Sequence, residues 1–274
     1  MPSLIAGVVQ LCAHQHPAEN LDKSEALVTE AQRRGARLVV LPENFPYIGK
    51  LSEKVRLAEP LHATAPGPIL GRMIGLARSL GIHLLLGGIP VREEGERPDR
   101  FHNTAVLLGP DGEILASYRK IHLFDINIPD GPTFTESEFV LPGEEVVTTG
   151  VLGVTLGFSI CYDLRFPELY RELARKGAQV VAVPAAFTLH TGKDHWFPLL
   201  RSRAIENQVY VLAAAQHGRH NEQRTSYGKA CIVDPWGAVL AQVPDRDGVA
   251  VAELDLEYLD AVRRNLPCLE HRRL

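Results

Sequence analysis

The stretch "VTLGFSICYDLRFPE", residues 154–168, decides the reading of the chain. Val154, Leu156, Phe158 and Ile160 recur with the period of two that marks a buried β-strand. The strand runs into Cys161, then an acid, a base and Pro167, a good first residue for a helix. A buried cysteine is ordinarily a small apolar filler. One delivered to a strand end ahead of a helix start is placed where a nucleophile could sit.

The same alternation of strand and helix extends in both directions. Residues 4–11 read as a first strand, about 21–34 as a helix stopped by Gly35, and "ARLVVLPE" (36–43) as a strand closing on a carboxylate. Pro68 to Leu80 reads as a helix with Gly81 as its stop, and "IHLLLGGI" as a buried strand. Residues 104–120 form two strands around a Pro-Asp-Gly turn. Downstream come a helix from Pro167, the strand 179–184, a helix over 194–207 with Asp194 as its N-cap, and the strand 209–215. A hairpin around Pro235-Trp236-Gly237, a strand over 248–254 and a short helix near 256–264 complete the chain. This order implies an α/β class, and the hairpins make the sheets mixed. Strands apolar throughout are covered on both faces, as in two facing sheets with helices outside.

The 274 residues are 45% hydrophobic and 23% charged, with a formal net charge of -4 and no linker, repeat or low-complexity stretch. The expectation is one domain over residues 1–274. Scattered basic residues argue against nucleic acid as a partner, and no apolar run is long enough to span a membrane. The N-terminus lacks the basic region of a signal peptide, and four widely separated cysteines fit a reduced, cytoplasmic setting.

Three polar residues stand where apolar strands stop: Glu43 after "RLVVLP", Lys120 after "ILASYR" and Cys161 after "VTLGFSI". Brought together, they form a coherent chemical set. A free thiol is mostly protonated at neutral pH, so Glu43 would take its proton during attack. Lys120 would keep that carboxylate ionised and stabilise a developing oxyanion, with the backbone N–H of Tyr162 as second donor. The product is a thioester, which water cleaves with general-base help from Glu43. The target is a carbonyl or nitrile carbon bonded to nitrogen.

At these residues the sequence resembles the carbon–nitrogen hydrolase (nitrilase) superfamily, through "VVLPENF", "YRKIHLFD" and "GFSICYDLRFPE" in the order Glu–Lys–Cys. The resemblance covers essentially the whole chain. It implies a four-layer αββα sandwich, thioester chemistry, no cofactor and no metal. It also implies a further active-site glutamate after Lys120, for which "TFTESEF" offers Glu136, with Glu138 as the alternative. Within the superfamily, residues 195–220 with "RTSYGKA" and "VDPWG" are most similar to amidases of a tripeptide-derived keto acid. The alternatives are an ω-amidase, an N-carbamoyl amino acid hydrolase, a nitrilase, or a binding protein that uses the fold without chemistry.

The expected partner is a small amide carrying carboxylates. Arg165 is placed to meet an acyl-end carboxylate, with a surface pair to Glu168 or Glu172 as the alternative. The loop "HGRHNEQRTSYGK" (217–229) supplies Arg219, His220, Arg224 and Lys229 for the leaving-group end, Arg219 and Arg224 foremost. Cys12, His14 and His16 have no carboxylate partner and read as core and rim, not as a metal set. Cys231 and Trp196 read as packing, and Arg203 with Glu206 as a structural pair one helical turn apart. The resemblance also implies a homodimer or higher oligomer, paired through the helices that follow the strands of the site and reached by the tail "LPCLEHRRL".

Overall fold

The computed structural model describes residues 4–62, 65–127 and 133–273. In chain order the elements are β1 (Leu4–Leu11), α1 (Pro17–Arg33), β2 (Leu38–Val40), α2 (Leu51–Lys54), α3 (Pro68–Leu80), β3 (His83–Val91), β4 (Phe101–Leu108), β5 (Ile114–Arg119), β6 (Asp125–Asn127), β7 (Thr133–Thr135), β8 (Val140–Leu141), β9 (Thr148–Val151) and β10 (Val154–Phe158). They continue with α4 (Pro167–Arg175), β11 (Val180–Ala182), α5 (Leu189–Asn207), β12 (Tyr210–Ala213), β13 (Ala215–Arg219), β14 (Thr225–Tyr227), β15 (Cys231–Val233), β16 (Val239–Gln242), β17 (Gly248–Leu254) and α6 (Leu256–Asn265).

Among the described residues one sheet runs β14-β13-β1-β2-β3-β4-β5, with β17 also on β1 and β8 also on β4. The second runs β16-β15-β12-β11-β10-β9, and β6 and β7 pair as a separate two-stranded antiparallel sheet. Both large sheets are mixed: β1-β2-β3 and β10-β11-β12 are parallel, and the outer pairs β3-β4 and β15-β16 are antiparallel.

The period of two builds the layers. Leu38, Val40, Leu85, Ala105 and Leu107 point from the first sheet toward the second, where Leu156, Phe158, Val180 and Leu212 meet them. Their neighbours Val39, Leu84, Leu86, Val106 and Leu108 point the other way, onto Val28 and Ala31 of α1 and Leu70, Met73 and Ala77 of α3. Leu169 and Leu173 of α4 and Trp196 and Leu200 of α5 cover the far face of the second sheet. The result is the four-layer αββα sandwich, with every central strand buried on both faces.

Two helix starts differ from the sequence reading. α1 begins at Pro17, because proline's fixed φ suits the first helical turn. α5 begins at Leu189 with Thr188 as the N-cap residue, so Asp194, His195 and Trp196 lie inside it and Asp194 is no cap. Its first turns carry the exposed Leu189, His190, Lys193 and Asp194 and so show no apolar period, which hides them in the sequence. Cys12, read as core, is half-buried at the end of β1, with Sγ 3.6 Å from His220 Nδ1.

Close approach of the layers explains "LGGI". A Cβ at Gly87 would lie 2.0 Å from the Leu41 carbonyl oxygen and 2.4 Å from Pro184. The β3-β4 register shifts between Leu86 and Ile89. That bulge turns the Gly88 carbonyl to accept from Asn44 N (3.1 Å), which fixes the loop after Glu43.

Candidate active site

Glu43, Lys120 and Cys161 come from three separate strand ends and meet between the sheets, 2%, 1% and 8% exposed. Lys120 Nζ donates to Glu43 Oε1 (3.1 Å) and to Glu136 Oε2 (2.8 Å). Glu136 therefore joins the set. It sits in a turn after β7, and the Phe124 N–H donates to its Oε2 (2.7 Å). Glu138 is exposed on the same turn. Glu43 is held from four sides: Asn103 Nδ2 donates to Oε1 (2.9 Å), Ala186 N to Oε2 (3.0 Å), and Gln216 Nε2 to its backbone carbonyl (3.1 Å), besides Lys120.

The charges follow from that geometry. Burial works to raise the Glu43 pKa, but Lys120, Arg224 and a hydrogen bond from Cys161 outweigh it and hold the carboxyl well below the usual range. Burial works to lower Lys120, but Glu136 and Glu43 keep it charged. Burial and the Glu43 charge push the Cys161 thiol well above its ordinary value, with Lys120 opposing. At neutral pH the set is a carboxylate, an ammonium and a neutral thiol.

Backbone strain marks the same place. Cys161 has φ 50 and Asn44 has φ 60, left-handed values uncommon for residues other than glycine. The Cys161 turn is pinned by its N–H to the Pro184 carbonyl (2.9 Å) and by Asp163. Asp163 is fully buried. It accepts from Ile160 N (2.8 Å), Tyr118 Oη (2.7 Å) and His122 N (3.0 Å), and lies 2.7 Å from His122 Nδ1. Tyr118 and His122 flank Lys120, so this one carboxylate ties the cysteine turn to the lysine. Tyr162 N–H lies in the first turn of the short helix 161–165, where no intrahelical acceptor precedes it.

The set opens into a chamber of about 220 Å³, lined also by Asn44, Lys54, Phe124, Phe134 and Arg224. Beyond Phe134 and Arg224 lies a wider vestibule of about 900 Å³, bordered by Thr188, His190, Lys193 and Thr225. Arg224 belongs to both, its guanidinium carbon 5.8 Å from the Phe134 ring centre. The structure does not bring Arg219 to either: it is exposed and its Nε donates to the Asn221 carbonyl. Arg219 is the last residue of β13, ahead of the turn that carries Arg224 to the cavity wall. His220, buried beside Ser226 and the Ala13 carbonyl, is likewise structural. Arg165 borders a crevice beside Cys161 and stacks over Phe187 (5.0 Å), with Nη1 3.2 Å from His195 Nδ1, not against Glu168 or Glu172. Trp196 is fully buried, and Arg203 bonds the Leu164 carbonyl and Glu206. Nothing in the sequence singles out Lys54, since "LSEK" reads as a solvated turn.

A four-layer sandwich that gathers carboxylate, ammonium and thiol at its strand ends defines a class of carbon–nitrogen hydrolases. The chain belongs to that family: residues 5–264 match the family described as carbon-nitrogen hydrolase. It is 46% identical to the deaminated glutathione amidase of Synechocystis sp. (strain PCC 6803 / GT-S) over 99% of both chains. It is 42% identical to the Homo sapiens protein of that name, over 98% of this chain and 82% of the other. The crystal structure of Saccharomyces cerevisiae Nit3, a member of branch 10 of the nitrilase superfamily, matches with a TM-score of 0.89 at 32% identity, over 99% and 97% of the two chains. The chain is an amidase of this superfamily.

Proposed function

We propose that the enzyme hydrolyses deaminated glutathione to 2-oxoglutarate and Cys-Gly through a thioester on Cys161. The observation that carries the reading is the meeting of Glu43, Lys120 and Cys161 at the closed end of a two-part cavity. Cys161 Sγ attacks the amide carbon while its proton passes to Glu43. Glu43 is a weak base while Lys120 holds it. As the oxyanion grows, Lys120 and the Tyr162 N–H turn their donation to it, and Glu43 gains basicity at the moment of transfer. Glu43 then protonates the departing amine, and later takes a proton from the water that cleaves the thioester. Glu136 orients Lys120 throughout.

The cavity supports the substrate's polarity. The acyl group stays on Cys161 and suits the enclosed chamber, whereas the dipeptide must leave and suits the vestibule. Arg224, at the neck, meets the glycine carboxylate of the leaving group. The chain acts as a single domain, in the cytoplasm, as a homodimer or larger assembly. The exposed apolar Ile205, Trp236 and Leu240 beside α5 support self-association.

The test is one assay with deaminated glutathione, α-ketoglutaramate, a carbamoyl amino acid and a simple nitrile. The expected order of kcat/KM puts deaminated glutathione first, and a slow substrate leaves its acyl mass on Cys161. Preference for α-ketoglutaramate would make the chain an ω-amidase, and full activity of Cys161→Ala would remove the thioester.

A further inference from the structure

The inner chamber has more cations on its wall than carboxylates to pair them. Lys120 takes both Glu43 and Glu136. Lys54 and Arg224 line the same chamber, and among the described residues neither forms an ion pair. Lys54 ends α2 and is 4% exposed. Its ammonium donates to Asn44 Oδ1 and lies 5.3 Å from the centre of the Phe101 ring. Both partners are neutral, and an ammonium has three donors. A buried cation without a counter-charge is costly, and an anion entering the chamber relieves that cost.

The alternative anchor does not have the room. The crevice between Cys161 and Arg165 is about 10 Å³, the space of at most one water molecule. The chamber at Lys54 is about 220 Å³, and Asn44 follows Glu43 directly, so a ligand reaching from Cys161 to Lys54 passes along the site itself.

We propose that Lys54, oriented by Asn44, binds the acyl-end carboxylate of the substrate, so that the enzyme selects ω-amides of short dicarboxylic acids. This rests on the amidase reading of Cys161 above. Arg224 at the neck then reads the leaving group, and the two cations divide the substrate's two anions between them. Burial lowers Lys54 to about 8, with Glu43 and Glu136 opposing and Arg224 and Lys120 reinforcing. Only its charged form binds a carboxylate, so KM for such substrates rises above that pH.

The test has two arms. In the first, Lys54→Met lowers kcat/KM for deaminated glutathione and α-ketoglutaramate alike, each at least tenfold relative to butyramide, which has no carboxylate. The alkaline rise in KM is lost with it. An equal loss on all three amides, or a persisting alkaline rise, would overturn the proposal. In the second, glutarate binding to Cys161→Ala protein is measured by calorimetry, and adding Lys54→Met weakens it at least tenfold. An unchanged Kd would overturn the proposal whatever the enzyme hydrolyses. Wild-type protein that cleaves butyramide but no keto-acid amide would sink the substrate reading alone, leaving the glutarate arm to decide Lys54. Lys54→Gln reports on the same interaction should the methionine variant not fold.

Discussion

Asp163→Ala separates positioning from chemistry at this site. The carboxylate is fully buried and receives Ile160 N, Tyr118 Oη and His122 N, with His122 Nδ1 at 2.7 Å. Its removal leaves the Ile160 N–H orphaned in the core, a cost of about 1–3 kcal/mol, and each hydrogen bond removed from Tyr118 and His122 adds about 1 kcal/mol. The sum is about 4–6 kcal/mol, a large share of a typical stability of about 5–15 kcal/mol. Guanidinium chloride unfolding should show that drop as a lower midpoint at unchanged slope. Catalysis should fall in the folded fraction as well. Cys161 sits at φ 50, and the tether from its turn to the segment carrying Lys120 is Asp163. A nucleophile displaced by about 1 Å costs about 10²-fold in kcat. Tyr118→Phe removes a single donor from the same carboxylate and should cost about 1 kcal/mol with a smaller kcat effect. Asp163→Ala with a loss below about 1 kcal/mol, or with wild-type kcat in the folded fraction, would refute the tether.

Four further outcomes are expected. Lys120→Met leaves the buried Glu43 and the partly buried Glu136 without their shared cation and should cost about 3–5 kcal/mol together with turnover; denaturant melts and a colorimetric ammonia assay on α-ketoglutaramate measure the two losses. Gly87→Ala forces a Cβ against the Leu41 carbonyl at 2.0 Å and should destabilise by about 3 kcal/mol, read from the thermal midpoint. Arg224→Ala removes a charge-assisted interaction of about 1.5–3 kcal/mol and should raise KM for deaminated glutathione about tenfold or more, with little change for α-ketoglutaramate. Burial and Glu43 hold the Cys161 thiol above its ordinary pKa, so iodoacetamide at pH 7 should modify it more slowly than free cysteine and faster as pH rises, followed by peptide mass spectrometry.

The order of most elements and the three residues that meet at the strand ends were legible in the chain. α3 runs Pro68–Leu80 as proline and Gly81 dictate. Most strands lie where expected, because side-chain period and backbone pleat are the same local property, but the single strand read over 209–215 divides at Ala214 into β12 of one sheet and β13 of the other. Glu43, Lys120 and Cys161 stood out because each interrupts an apolar run at its end. The early start of α5 did not show, since its first two turns are solvent-facing and leave no periodic trace.

By itself, then, the sequence determined the alternating elements, the two-faced strands and the trio of Glu43, Lys120 and Cys161 at strand ends, all matters of local pattern. Only the tertiary structure decided which charges matter around that trio. Arg219 and Arg224 are alike in the sequence, yet one faces solvent and the other the neck of the cavity. Glu136 rather than Glu138 meets Lys120, because the short turn after β7 leaves one facing the site and the other exposed. Lys54, in a short charged segment, is buried beside Asn44 and Phe101. A charge's role depends on what surrounds it in space, and its neighbours here come from residues many positions away.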